Sequence, residues 1–344
     1  MKKRSGWLWL CLTAVVTILV IHFRGRIHFD FATFWQQLKH VSMAHIAVAL
    51  ALILATYWLR AVRWSVFVRP AKKVSPASLV APQIIGFTAV ALFGRLADPT
   101  RPYLVSRKTG LSLSSQIAVY TLERMFDLGA SAVILSTALA FVPRSFPHHD
   151  AFVRTGLGGL AVAAAVAILA ALVRVSGGMV ANLVRSGLGL VSKSAAQSVA
   201  EKILGFRDGL NTLETWREFA WVSVLSLVMW GMIATSYVEV LHAFQQTPEL
   251  AAVTFPSAML LMAANQGGSL VQLPIVGWFT QIGVSAAAVH EFYGAPIETA
   301  TACGTMILVV TFLCIIPFGL VLARLERVSL KNVAEQSETA KTVA

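Results

Sequence analysis

Long continuous apolar runs dominate the chain, where a membrane barrel would show short alternating segments. Six runs, at roughly 7–23, 43–62, 113–142, 155–174, 219–241 and 299–322, are read as spanning helices, since the hydrocarbon core requires about 20 apolar residues. Two further apolar segments, 78–108 and 256–296, are interrupted near their middles by Gly, Pro and polar residues. Such interruptions predict helical hairpins that enter and leave on one face. Phe31, Phe34, Trp35, Leu38 and Val41 recur at helical spacing ahead of the second run, and Val199, Ile203, Phe206, Leu210 and Leu213 repeat the pattern later. Both segments suit amphipathic helices lying on the membrane surface or packed on the bundle. The expected fold is an all-α polytopic bundle of about six full spans plus two opposed re-entrant hairpins. It forms one domain over 1–328, with a polar tail at 329–344.

Composition agrees with the pattern. Hydrophobic residues make up 57% of the chain and charged residues 13%, against about 25% charged in soluble proteins. The net charge of +12 carries no nucleic-acid motif, so no nucleic-acid partner is expected. The basic residues instead orient the helices. Lys2, Lys3 and Arg4 put the N-terminus in the cytoplasm, followed there by a loop carrying Arg60, Arg63, Arg69, Lys72 and Lys73. Keeping Arg101, Arg107, Lys108, the basic stretch 175–218 and the C-terminal Arg324 and Arg327 on the same side requires a first hairpin re-entering from the cytoplasm. The second must then re-enter from outside. The run that follows Lys2-Lys3-Arg4 ends in His22-Phe23-Arg24-Gly25-Arg26 without a small-residue cleavage site, so it is read as an uncleaved first helix. Cys11, Cys303 and Cys314 lie in apolar spans and read as packing residues.

Candidate chemistry sits where charge interrupts the apolar pattern. A charge near the bilayer centre costs about 2.5–3.5 kcal/mol, so intramembrane ionisable groups are usually paired, inward-facing and functional. In the first hairpin Gly94 lets the chain reverse and Pro99 resists a continuous helix, placing Arg95, Asp98 and Arg101 near the break. Guanidinium groups beside exposed backbone amides form a phosphate receptor; the competing arrangement pairs Arg95 with Asp98 and lets Arg101 snorkel. In the third run Glu123 and Asp127 stand at i and i+4 and share a helix face, while Arg124 points about 100° away. Glu123 lies about 15 Å into that helix. The two carboxylates are expected to pair with Arg95 or Arg101, either as a fixed internal network or as one that opens and exchanges for a headgroup.

The second hairpin brings Gln272 and Gln281 around a break marked by Pro274 and Gly277. These residues either line a polar groove or cap a buried turn. His148-His149-Asp150 reads as a solvated loop, and His290-Glu291 lacks the second histidine of a zinc-protease motif. There is no Walker loop, dinucleotide fingerprint or nucleophile elbow. No cofactor, metal or catalytic residue is assigned.

Taken together, Gly94-Arg95-Leu96-Ala97-Asp98-Pro99-Thr100-Arg101, Glu123-Arg124-Met125-Phe126-Asp127 and Pro274-Ile275-Val276-Gly277 resemble the flippase-like family, the transmembrane region of lysylphosphatidylglycerol synthases. Their order matches that family's Arg-rich hairpin, ER-x-x-D helix and late P-x-x-G hairpin. Arg60-Ala61-Val62-Arg63-Trp64 also fits. Ala97-Asp98 replaces the usual Gly-Glu, and the chain is read as a stand-alone member without the soluble synthase domain. The resemblance implies movement of a phospholipid or lipid-linked headgroup between leaflets of a bacterial inner membrane, with both termini cytoplasmic. Arg95 and Arg101 would hold phosphate; Asp98, Glu123 and Asp127 would hold those arginines or meet a cationic headgroup, and Arg124, Gln272 and Gln281 would complete the site. The expected partner is a membrane lipid with a phosphate-bearing headgroup, with a homo-oligomer or a separate lipid-synthesis enzyme as further partners. The alternatives are an integral-membrane lipid-modifying transferase with Glu123 or Asp127 as general base, and a non-catalytic scaffold.

Overall fold

The computed structural model describes residues 29–144, 149–188, 196–200, 213, 215–268 and 276–328. Among them every regular element is helical. Helix α1 (Phe31–Lys39) is amphipathic, is capped by the Asp30 carboxylate and buries none of its residues. Phe31 and Trp35 face outward, as an interfacial helix requires. Helix α2 (Met43–Val68) is followed by α3 (Pro76–Phe93), a 3-10 turn over Gly94–Ala97 and α4 (Thr100–Thr109). Helix α5 (Leu113–Ala140) leads to α6 (His149–Leu188), which breaks at Ser176. Then come α7 (Trp216–His242), opened by a Thr215/Glu218 capping box, the single turn α8 (Pro248–Ala251), α9 (Phe255–Gly268) and α10 (Val276–Tyr293). The last element, α11 (Ile297–Leu308), passes through a π-helical turn at Val309–Leu313 into α12 (Ile315–Leu325).

Five stretches are long and apolar enough to cross a membrane: Met43–Val68, Pro76–Phe93, His149–Ser176, Trp216–His242 and Ile297–Leu325. At 28 residues α5 is long enough as well, and differs in carrying Glu123, Arg124 and Asp127. The chain is thus a polytopic helical membrane protein. The run at 7–23, the tail after Val328 and most of 199–213 lie outside the described residues.

Both interrupted segments fold as helical hairpins, and polar contacts fix where each opens. At one end of the bundle Lys72 Nζ, ahead of α3, donates to the Thr109 carbonyl at the end of α4 at 2.7 Å. Lys108 pairs there with Glu326 beyond α12 at 2.7 Å. At the opposite end the Tyr293 hydroxyl, closing α10, donates to the Ser257 carbonyl in the first turn of α9 at 2.8 Å. The Ser42 amide, ahead of α2, donates there to the Ala243 carbonyl after α7 at 2.9 Å. The hairpins therefore open at opposite ends. The two hairpins touch where Trp278 Nε1, in the first turn of α10, donates to the Ala91 carbonyl at 3.2 Å.

Glycine makes the first reversal possible. Gly94 takes φ 74° after the last turn of α3, a conformation costly for residues with a Cβ. Gly86, about two turns earlier, leaves room for the returning helical arm of the hairpin: a methyl group there would overlap Arg101 Cγ.

One expectation is corrected. Arg60 and Arg63 belong to no cytoplasmic loop. Helix α2 continues to Val68, and both arginines are buried in its last three turns. The helix extends past the apolar run because acidic partners on α5 meet these two side chains.

Candidate functional site

Helix α5 carries its polar residues on one stripe. Gln116, Glu123, Asp127 and Ser131 are buried, at spacings that bring them to the same face. On α2 the matching stripe is Arg60, Arg63, Trp64 and Phe67, again at three- and four-residue spacing. The two stripes meet. Trp64 Nε1 donates to Gln116 Oε1 at 2.9 Å, which aligns the helices at their shared end.

Arg63 is the centre of the cluster and is 0% exposed. Its Nη2 donates to Glu123 Oε1 at 2.7 Å, and its Nη1 donates to Asp127 Oδ1 and Ser226 Oγ, each at 2.7 Å. One guanidinium thus ties α2, α5 and α7 together. Arg60 Nη1 lies 3.2 Å from both Glu123 Oε1 and Asp127 Oδ2. Trp230, one turn beyond Ser226 on α7, donates to Asp127 Oδ1 at 3.4 Å.

The hairpin contributes Arg101, also 0% exposed. Its Nη1 lies 3.1 Å from Glu123 Oε2 and 3.3 Å from Gln83 Oε1 on the opposing helix α3. Its guanidinium sits over the rings of Phe87 at 4.3 Å and Tyr120 at 4.8 Å. Aromatic faces attract a desolvated cation. The depth of the cluster follows from helix rise: Gln83, Arg101 and Glu123 stand about 10–15 Å from the hairpin's open end at 1.5 Å per residue.

Glu123, Asp127 and Arg101 therefore converge as expected. Arg95 does not join them. It lies on the 3-10 turn at the hairpin tip and is exposed, because the turn rotates it away from the face that Arg101 occupies. Of the two arginines expected to pair with the carboxylates, Arg101 supplies the contact, and Arg60 and Arg63 join it. Asp98 is half-buried and approaches the Tyr120 hydroxyl. Arg124, half-buried, lies over the Tyr120 ring at 5.0 Å and reaches Asp127 only at 3.9 Å. Gly94 and Pro99 bracket the turn as predicted.

In the second hairpin Gly277 is buried in the first turn of α10. Gln281 presents its backbone carbonyl to the Ser285 hydroxyl at 2.8 Å. Ser285 donates in turn to Asn265 at 2.6 Å, and Asn265 lies 3.4 Å from the Tyr237 hydroxyl. Gln272 and Pro274 lie outside the described residues. Among the described residues no group of three or more His, Cys, Asp and Glu side chains could hold a metal ion.

Sequence reasoning missed Arg60, Arg63, Gln83 and Ser226. The signal for the first two was present: Arg60 and Arg63 stand at i and i+3, one face of a helix that the apolar run had already begun.

A family model described as the lysylphosphatidylglycerol synthase TM region matches residues 7–323. No curated protein matches.

Proposed function

Because the chain belongs to the lysylphosphatidylglycerol synthase TM-region family, we propose that it moves a phospholipid or lipid-linked headgroup between leaflets through a polar crevice beside the two hairpins. The family links this multi-pass membrane protein to lipid synthesis; translocation is the step that the buried cluster favours. In this reading both hairpins are re-entrant. The first opens toward the cytoplasm of a bacterial inner membrane, where Arg69, Lys72, Arg107, Lys108 and Arg324 gather, and both termini lie on that side.

The observation that carries the proposal is which elements supply the cations of the cluster. Arg63 holds both carboxylates at 2.7 Å and Arg60 lies 3.2 Å from both, while Arg101 reaches Glu123 at 3.1 and 3.4 Å from a separate element. Arg63 and Arg60 stand on a long spanning helix; Arg101 stands on the ten-residue arm of a hairpin. When that arm shifts, Arg101 releases Glu123, and the carboxylate keeps two other cationic partners. The freed guanidinium then takes the phosphate of a headgroup whose tails remain in lipid. Arg95, nearer the tip, receives the same group farther along the hairpin, and Gln281 lines the opposing side.

The test is leaflet exchange of fluorescent phospholipid in proteoliposomes. Wild-type protein should accelerate exchange over empty vesicles, and Arg101→Gln and Glu123→Gln should each abolish most of the acceleration. Exchange unaltered by both substitutions would remove this site from the mechanism, and no exchange by the wild type would remove the translocator reading.

A further inference from the structure

The buried cluster does not balance its own charge. Three guanidinium groups, Arg60, Arg63 and Arg101, face two carboxylates, Glu123 and Asp127, and all five residues are buried. Arg124 lies over the Tyr120 ring at 5.0 Å and makes only the 3.9 Å approach to Asp127. An uncompensated charge in an apolar interior is costly unless a counter-charge reaches it.

The hydrogen-bond inventory is unbalanced in the same direction. Every carboxylate oxygen is engaged. Glu123 Oε1 accepts from Arg60, Arg63 and Arg101, and Oε2 accepts from Arg101. Asp127 Oδ1 accepts from Arg63 and Trp230, and Oδ2 accepts from Arg60. What is left over is donors: Arg101 Nε and Nη2, Gln83 Nε2 and Arg63 Nε are buried and meet no acceptor among the described residues. Two of these residues are adjacent, since Gln83 Oε1 already receives Arg101 Nη1 at 3.3 Å. Phe87 and Tyr120 offset part of the Arg101 charge but supply no lone pair in the plane of its N–H groups.

We infer, building on the translocation reading, that the site selects by charge. It takes a monoanionic phosphate group on the leftover donors of Arg101 and Gln83, and disfavours headgroups whose net charge is zero or positive. A phosphodiester fits the imbalance: it brings one negative charge and two non-bridging oxygens, each able to accept more than one hydrogen bond. A headgroup that carries its own ammonium group returns the cluster to an excess of positive charge.

Binding of short-chain lipids to the full-length protein in neutral detergent, measured by calorimetry, tests this without relying on leaflet exchange. Dihexanoyl phosphatidylglycerol should bind at least about tenfold more tightly than dihexanoyl phosphatidylcholine, because the two offer the same phosphate oxygens and differ by the choline's positive charge beside an already cationic cluster. Dihexanoyl lysylphosphatidylglycerol, with a net positive charge, should bind weakest. Gln83→Glu should erase the preference for the anionic lipid, because the new carboxylate stands at the position of an oxygen already 3.3 Å from Arg101. Gln83→Leu, which removes a donor to the shared phosphate without adding charge, should weaken both lipids and keep the anionic one ahead. Equal affinity of the wild type for the anionic and zwitterionic lipids, or tightest binding of the lysyl form, overturns the charge rule whether or not either variant folds. Inorganic phosphate binding as tightly as the short-chain anionic lipid would overturn the lipid as the source of the anion. If the preference holds but vesicles show no exchange, the translocator reading alone fails.

Discussion

Breaking the Arg63–Asp127 pair gives the most direct measure of what the cluster does for the fold. Arg63→Met keeps most of the side-chain volume and removes three donated bonds, to Asp127, Glu123 and Ser226. It also leaves Arg60 and Arg101 facing Glu123 and Asp127, a balanced set. Asp127→Asn is nearly isosteric but leaves three guanidinium groups facing Glu123 alone. Loss of one partner from a buried pair costs about 3–5 kcal/mol. Arg63→Met should therefore fall near the lower limit and Asp127→Asn near the upper. The double variant restores the net charge of the wild type, so it should be less destabilised than the sum of the singles by about 2 kcal/mol, within the range found for residues in direct contact. Unfolding in mixed micelles by titration with dodecyl sulfate, followed by tryptophan fluorescence, measures all four corners of the cycle. Effects that add to within about 0.5 kcal/mol, or a larger loss for Arg63→Met than for Asp127→Asn, would refute the assignment of the pair as the junction of α2, α5 and α7.

Two further outcomes follow from geometry elsewhere. Gly86→Ala should displace Arg101, because the added methyl overlaps its Cγ. Overpacking of this kind costs about 1–3 kcal/mol, so the variant should show a lowered unfolding midpoint together with reduced lipid exchange. At α1 the hydroxyl of Thr33 and then the Ala32 amide hold the exposed Asp30 carboxyl below the usual carboxylate range. A depressed folded-state pKa contributes stability that is fully present above the ordinary Asp value near ~4 and is lost as pH falls through the lowered value. Hydrogen exchange in the first turn of α1 should therefore stay slow at neutral pH and accelerate on acidification below that range. Asp30→Asn should flatten this pH dependence.

The sequence was legible where chemistry and periodicity reinforced one another. Glu123 and Asp127 stand four residues apart in a long apolar helix, so their shared inward face followed from helical geometry alone. The hairpins were legible because Gly94 and the prolines interrupt runs that would otherwise span. Arg60 and Arg63 were misplaced for a physical reason. Basic residues at the end of an apolar run read as the start of a cytoplasmic loop, and only acidic partners some sixty residues away, at Glu123 and Asp127, keep them inside. The choice between Arg95 and Arg101 depended on how far the 3-10 turn rotates the backbone, which side-chain type does not encode. Gln83 carried no signal, since a neutral amide in an apolar helix gains its meaning only from the guanidinium set against it.

The indole of Trp278 and the carbonyl of Ala91 are 187 residues apart in the chain. That carbonyl belongs to the final turn of α3, where a helix has no amide of its own left to offer. During synthesis at ~5–20 residues per second, the first reversal waits roughly 10–40 s for the residue that completes it. A chain released before Trp278 would lack this tie between its two hairpins.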